Sequence, residues 1–497
     1  MSMGKRKSSQ QEQMFLPTAR GEGHRFYQAL DKLLRGADCD AKVEALCEPH
    51  YAAADQPGRP SLAPGIFFRM MLVGYFEGIA SERGICWRCA DSISLRDFLG
   101  LANHVSVPDQ STVCRTRRRL PAVVFEEVLN FVLVIVAEQG LLKGRVRGVD
   151  STYLQADASM KSIVRKDTQE DYSSYIRRLA SEDGAEASVS KSDDDDEPPE
   201  GPSASGPSTE VPVTLVEPQV APKGQATRTE AIRHDRKRKK RTSNRDWESP
   251  TDPDSRIARM KNGTTRLAYK HEHVVYMETG VILGVQVFHA DRHDATTILE
   301  SLAVAEENVA RVGYSARVQE PFVGESWHRE PLAEVVADKG YHKASTLRQL
   351  KEEGYRTLIP ERKQRGRRHF VDKGGSETSR AFHENRARVQ RTKSKTLQRR
   401  RGELVERPNQ HLFDRTGLRN LPLTGLENVR KRVLLQSAAF NLSAVMRKRL
   451  GRGTPRSFFL AFLAYLASLY GFWVARGSWR RLFPSVEVDF RRLVTSG

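Results

Sequence analysis

The stretch Arg145-Val-Arg-Gly-Val-Asp-Ser-Thr-Tyr-Leu154 decides the fold. It follows Gly144, is rich in β-branched residues, and carries Asp150 between Val149 and Ser151. That pattern predicts a strand. A carboxylate inside an otherwise apolar strand is costly unless it is paired or holds a cation, which marks Asp150 as a functional candidate. Further along, His271-Glu-His-Val-Val-Tyr-Met-Glu278 and Val281-Ile-Leu-Gly-Val-Gln-Val-Phe288 flank Thr279-Gly280, a two-residue hairpin turn. Thr297-Ile-Leu-Glu300 fits a capping box opening a helix towards Val312. Glu334-Val-Val-Ala-Asp338 is a fourth strand, and Lys339-Gly-Tyr341 turns into a helix through Glu353. Tyr355-Arg-Thr-Leu-Ile359 is a fifth strand, ended by Pro360. The order strand, hairpin, helix, strand, helix, strand predicts a mixed five-stranded α/β layer, not a Rossmann repeat.

Residues 20–144, upstream of this layer, read as helical. Phe26, Leu30, Leu33 and Leu34 keep a helical spacing, Pro64 opens a second helix, and Phe67 to Ile79 is apolar all round and therefore buried. A third helix runs from Val124 to Glu138 and stops at Gly140. Between them Asp109 or Ser111 caps a short helix bearing Arg115, Arg117, Arg118 and Arg119. Such a helix is either a DNA reader in a helix-turn-helix or a solvated basic helix docked on the rest of the chain.

The whole sequence has 497 residues and a formal charge of +19, from 81 Lys and Arg against 62 Asp and Glu. From 181 to 222 it carries eleven acids against one base, Lys191, with seven prolines, so the remainder is more basic than the net charge implies. That balance implies a polyanionic partner, nucleic acid before anionic lipid. Hydrophobic residues at 38% allow a sizeable core but are few for a membrane protein. Five cysteines, an odd count, argue against a secreted disulfide scaffold. The basic N-terminus leads into no apolar signal region, and a cytoplasmic protein is expected.

Composition divides the chain further. Residues 1–19 form a tail, 145–180 open the core, and 181–245 are an insert, acidic and then basic, read as disordered. The core continues through 246–360. Residues 361–401 form a basic insert with fifteen Lys or Arg against four acids, and helices of the core follow over 402–450. Residues 451–497 are a tail whose segment Phe458 to Ala475 is nearly all apolar, read as a buried or partner-contacting helix and not as a membrane span.

Three acids sit where chemistry would use them. Asp150 lies in the first strand, Asp338 ends the fourth, and Glu406 opens a late helix in Glu403-Leu-Val-Glu-Arg407. If the two strands are neighbours, their carboxylates repel unless a divalent cation lies between them. Two aspartates and a glutamate are hard oxygen donors suited to a Mg²⁺ pair, although each taken singly reads first as a surface salt-bridge partner. Pro408 requires the late helix to begin close to Glu406, and Glu403 is a rival for the third place.

The segments Gly148-Val-Asp-Ser-Thr152, Asp252-Pro-Asp-Ser-Arg256 continuing to Tyr269-Lys270, Val336-Ala-Asp-Lys-Gly-Tyr341 and Leu404-Val-Glu-Arg407 occur in this order. Gly425-Leu-Glu-Asn-Val429 and Ala438-Ala-Phe-Asn-Leu442 follow. The series resembles the DDE transposases of bacterial insertion sequences, a group with a helical N-terminal domain. Gly58-Arg-Pro and the Pro108-Asp-Gln-Ser-Thr112 segment resemble that leading domain. The resemblance covers most of the chain apart from 181–245 and the far C-terminus. It implies an RNase H-like core, with Asp150, Asp338 and Glu406 as catalytic residues and ligands of two Mg²⁺ ions, for which Mn²⁺ substitutes. It also implies cleavage and strand transfer on double-stranded DNA, element ends and target alike, by a homodimer assembled on DNA. The sequence departs from relatives that flank the glutamate with a spaced tyrosine, arginine and lysine, since position 402 is Gly and position 413 is Phe. The alternative is a catalytically silent DNA-binding repressor derived from such an enzyme.

Phosphate contacts are expected from Arg115, Arg117 and Arg118, from Arg256, Lys261 and Lys270, and from Arg365, Arg367 and Arg368. Cys86 and Cys89 lack a second pair at zinc-finger spacing and read as buried thiols. His271, His273, His289, Asp291 and His293 are either a zinc site or imidazoles beside phosphate-binding residues.

Overall fold

A computed structural model describes residues 3, 23–51, 61–102, 104–182, 243–260, 262–319, 333–362, 375–457 and 467–468. The chain forms two units, one of residues 1–157 with 268–497 and a smaller one of 158–267.

The first unit opens with helices. α1 (Arg25–Gly36) buries Phe26, Tyr27, Leu30, Leu33 and Leu34 along one stripe, and α2 (Cys39–Cys47) follows. α3 (Pro64–Glu77) starts on its proline and buries every residue from Pro64 to Phe76, as its all-round apolarity requires. Even Arg69 is inside, paired with Asp31 at 2.7 Å and Asp40 at 2.9 Å. α4 (Glu82–Ala90), α5 (Ile93–Leu99) and α6 (Gln110–Arg119) are capped by Ser81, Ser92 and Asp109, whose side chains accept backbone N–H bonds. α7 (Ala122–Glu138) completes the set. All five cysteines are described and none is in a disulfide; Cys86 and Cys89 are buried, and burial pushes their thiols up to about 11 and about 12.

Strand β1 (Val146–Gln155) then enters the sheet. The smaller unit holds β2 (Val164–Arg165), α8 (Tyr172–Glu182), β3 (Trp247–Glu248) and β4 (Arg256–Arg259). Its interior is Trp247, Tyr175 and Ile163, with the Arg165 guanidinium over both aromatic rings and paired to Asp167 at 2.6 Å. β4 turns back at Met260 and Thr264 into β5 (Thr265–Tyr276), whose first residues, up to Leu267, still belong to this unit.

Back in the first unit come β6 (Ile282–His289), α9 (Asp294–Gln319), β7 (Glu334–Ala337), α10 (Ala344–Glu352) and β8 (Arg356–Leu358). α11 (Gly375–Val389), α12 (Thr392–Leu404), the one-turn α13 (Glu406–Asn409) and the long α14 (Leu426–Leu450) close the described chain. The strand order is β6-β5-β1-β7-β8, with β1, β5 and β6 antiparallel and β7 and β8 parallel to β1. α9 lies against β6 so closely that a Cβ on Gly284 would stand 3.1 Å from the backbone of Ala305. α14 packs on β6 and also on α7 and α3, which joins the N-terminal helices to the sheet.

Two expectations need correcting. The β5–β6 connection is not a two-residue turn: Met277 to Val281 span it, Gly280 takes φ +72, and Met277 bonds instead to Val146 of β1. Residues 361–401 are not simply a basic insert either. From Gly375 onward they are α11 and α12, which pack on β8 and β7 through Phe382 and Leu397, while their Lys and Arg side chains largely face outward. The greater part of 181–245, the tail 1–19 apart from residue 3, and nearly all of 458–475 lie outside the described residues.

Candidate active site

Register brings two of the acids together. β1 and β7 pair in parallel with Val149 beside Ala337, so the next residue along each is an acid, Asp150 inside β1 and Asp338 just past the end of β7. Asp150 is buried. Its Oδ2 accepts from Asn409 Nδ2 at 2.9 Å, and its Oδ1 lies 3.4 Å from Arg401 Nη1. Asp338 is half-buried and caps the short 3₁₀ turn Lys339–Tyr341, its Oδ1 accepting from the Lys339 N–H at 2.6 Å.

The third acid arrives from a helix break. α12 ends at Leu404, Val405 intervenes, and α13 starts at Glu406, which leaves Pro408 in a first turn where its missing N–H costs nothing. Glu406 is exposed and accepts from Arg401 Nη2 at 2.9 Å. One guanidinium thus bridges the carboxylates of Asp150 and Glu406. Glu403 is also exposed, on the last turn of α12. Among the described residues no three His, Cys, Asp or Glu side chains stand close enough to share one ion.

Behind Asp150, His273 and His271 lie opposite Asp150 and Thr152 in the β1–β5 register. Both are buried and stacked at 5.2 Å, and His273 Nε2 bonds to the Val405 carbonyl at 2.8 Å. Burial holds the His273 imidazole down to about 4 and keeps His271 well below its ordinary value. These two are neutral packing groups. His289 is the last residue of β6, opposite Tyr269, and His293 follows the strand; among the described residues the histidines do not gather as a zinc set.

Several expected phosphate contacts are turned inward. Arg117 is buried and paired with Glu82 at 2.7 Å, with a further bond to Asn428. Lys270 is buried too, because an even-numbered position on β5 points to α9, where Asp294 and Thr297 receive its ammonium at 2.9 and 2.7 Å. Neither side chain is available to DNA. Arg256 is half-buried and donates to the carbonyls of Pro253 and Ser255. Arg115 and Arg118 are exposed on α6. Lys261, Arg365, Arg367 and Arg368 lie outside the described residues.

Sequence inspection missed Arg401 and Asn409, which contact Asp150 from some 250 residues away. No local pattern marks them. Lys270 and Glu272 did leave a signal: two charges at alternate positions of an apolar strand share one buried face.

A mixed sheet of this order, with one acid inside its central strand, a second just past the end of the parallel strand beside it, and helices packed on it, is an RNase H-like core. Two family models match the chain: a transposase domain (DUF772) over residues 18–119 and a transposase DDE domain over residues 231–442. The chain belongs to the DDE transposases of insertion sequences, a nuclease and transposase family that generally uses divalent metal ions. Asp338 and Glu406 lie within the second match, and Asp150 lies between the two. No curated protein and no solved structure matches the chain. Among the described residues no single helix is long and apolar enough to cross a membrane.

Proposed function

We propose that this transposase binds the ends of an insertion sequence and carries out metal-dependent DNA cleavage and strand transfer, with Asp150, Asp338 and Glu406 holding two Mg²⁺ ions. The observation that carries this is the β1–β7 register, whose last pair, Val149 and Ala337, is followed on each chain segment by an acid, Asp150 and Asp338. The donor set fits a cation: Asp150 and Glu406 already converge on a positive group, the Arg401 guanidinium, and carboxylate oxygens are the donors Mg²⁺ selects. When bound, such ions supply Lewis-acid activation of the attacking oxygen and charge neutralisation at the leaving oxygen.

The chain's own residues do the rest. Asn409 fixes one oxygen of Asp150 and leaves the other directed towards Arg401. Arg401 balances the charge of two converging acids and is placed to turn to a backbone phosphate once those acids have another cation. Arg115 and Arg118 on α6 and Arg399 and Arg400 on α12 are exposed and serve as phosphate contacts. Dimerisation on paired element ends follows from the need to join two ends in one event.

The test is Mg²⁺-dependent nicking of a labelled element end, run beside a gel shift on the same DNA. Asp150→Asn and Asp338→Asn keep size while removing charge, and each should abolish nicking with end binding intact or improved. Glu406→Gln should do the same and Glu403→Gln should not. Full cleavage by either aspartate variant would end the proposal. End binding without cleavage by the unaltered chain would identify a repressor.

A further inference from the structure

The face of the sheet opposite the Asp150 carboxylate carries a polar network that reaches the residue after Asp150 and the turn after Asp338. In the β1–β5 register Ser151 lies beside Glu272, one step from Asp150 beside His273. Glu272 and Lys270 point away from the histidines, into α9, and both are buried. Lys270 Nζ lies 2.9 Å from Asp294 Oδ1, 2.7 Å from Thr297 Oγ1 and 3.4 Å from Glu272 Oε2. Glu272 in turn accepts from Ser301, from Thr297 at 2.9 Å and from the Tyr341 hydroxyl at 2.8 Å.

The two ends of the network are what give it a role. At one end Asp294 accepts from Ser151 Oγ at 2.9 Å, and Ser151 follows Asp150 in the chain. At the other end Tyr341 closes the 3₁₀ turn that Asp338 caps. The same turn passes so close to Asp294 that a Cβ on Gly340 would stand 2.5 Å from its carboxylate. A continuous set of contacts therefore runs from the residue after Asp150, through Asp294, Lys270 and Glu272, to the turn after Asp338. Burying an ammonium and a carboxylate in this way, with Asp294 half-buried beside them, is no aid to stability, since apolar replacements of similar volume often do as well. A network with every member bonded does fix relative position.

On the reading of Asp150 and Asp338 as metal ligands, we propose that Lys270, Glu272, Asp294 and Tyr341 are positioning residues that set the separation of those two carboxylates and thereby the affinity for the divalent cation. Residues that orient metal ligands typically change metal affinity or activity by about 10- to 100-fold when altered.

The experiment uses the full chain without DNA and measures Mn²⁺ binding by electron paramagnetic resonance, with the Mg²⁺ concentration for half-maximal nicking as a second readout. Tyr341→Phe and Ser151→Ala each delete one hydroxyl, and Glu272→Gln removes the central charge. Each should weaken Mn²⁺ binding and raise the Mg²⁺ requirement by about tenfold or more, with affinity for element ends changed less than twofold. Asn441→Ala is the control. It removes a buried amide that holds Ile282 of β6, far from the network, and should lower the thermal midpoint without changing Mn²⁺ affinity. If Glu272→Gln does not fold, the two hydroxyl deletions decide the matter alone. Wild-type Mn²⁺ affinity in Tyr341→Phe and Ser151→Ala, or equal weakening by Asn441→Ala, would overturn the proposal. Mn²⁺ binding that survives both Asp150→Asn and Asp338→Asn would instead remove those two as ligands, and the positioning role with them.

Discussion

His273 shows how completely the sheet is covered behind the acids. Its imidazole is buried against His271 and donates to the Val405 carbonyl, one residue before Glu406. Burial brings its titration down to about 4, whereas in an unfolded chain histidine protonates near 6.5. The unfolded state therefore binds more protons than the native one between those values. His273 contributes its full stability above about pH 6.5 and loses it as the pH falls towards 4. A gap of this size is worth about 3 kcal/mol. His411, held down to about 4 mainly by burial, acts in the same direction. Urea unfolding should accordingly show a midpoint that drops steeply between pH 6.5 and 4.5. His273→Gln keeps a donor for Val405, removes one titrating ring, and should flatten that drop. An equally steep curve in the variant would show that His273 does not carry the pH dependence.

Between β1 and the helix break at Val405 there is no space to spare, and Gly148 is the reason the two can meet. A Cβ there would lie 2.4 Å from Val405 Cγ2 and 2.7 Å from Met277 Sδ. Gly148→Ala must push back the residue that leads into Glu406. Overpacking of this kind costs about 1–3 kcal/mol, which a thermal melt reads directly. The same displacement should slow nicking more than Gly284→Ala, which crowds α9 on β6 away from the acids. Equal losses in the two variants would deny Gly148 any link to the site. Much at this scale was legible in the sequence: the pairing of an apolar strand with an embedded acid, the proline that opens α3, and the Asp109 cap of α6 are local patterns with local causes. The β5–β6 turn was not legible, because Met277 bonds to β1 and not across the hairpin. Nor was the inward course of Arg117 and Lys270, since a basic side chain advertises a phosphate and an internal acid in the same way. Only Glu82 and Asp294, distant in sequence, distinguish the two.

Across the whole molecule, the N-terminal helices and the sheet share one interior, and buried cations mark the join. Arg432 of α14 is buried against the Met71 sulfur and the carbonyls of Ile79 and Ala80, and its burial lowers the guanidinium to about 10. Lys431 beside it reaches the Arg117 carbonyl. A chain of +19 thus spends part of its positive charge inside, and its DNA affinity must come from the remainder. Arg115 and Arg118 on α6, with Arg399 and Arg400 on α12, are exposed and are the candidates proposed above for that contact. Each duplex phosphate contact contributes about 0.9 to the slope of log affinity against log salt. Changing all four to Gln should lower the slope by about 2 to 4, measured by fluorescence anisotropy on a labelled element end at several KCl concentrations. Arg117→Gln is the informative contrast. It leaves Glu82 buried without its partner, which costs about 3–5 kcal/mol of stability, yet it should leave the salt slope unchanged. A slope unaltered by the fourfold change would show that these arginines face solvent or protein, and a slope lowered by Arg117→Gln alone would show that this residue turns outward on DNA.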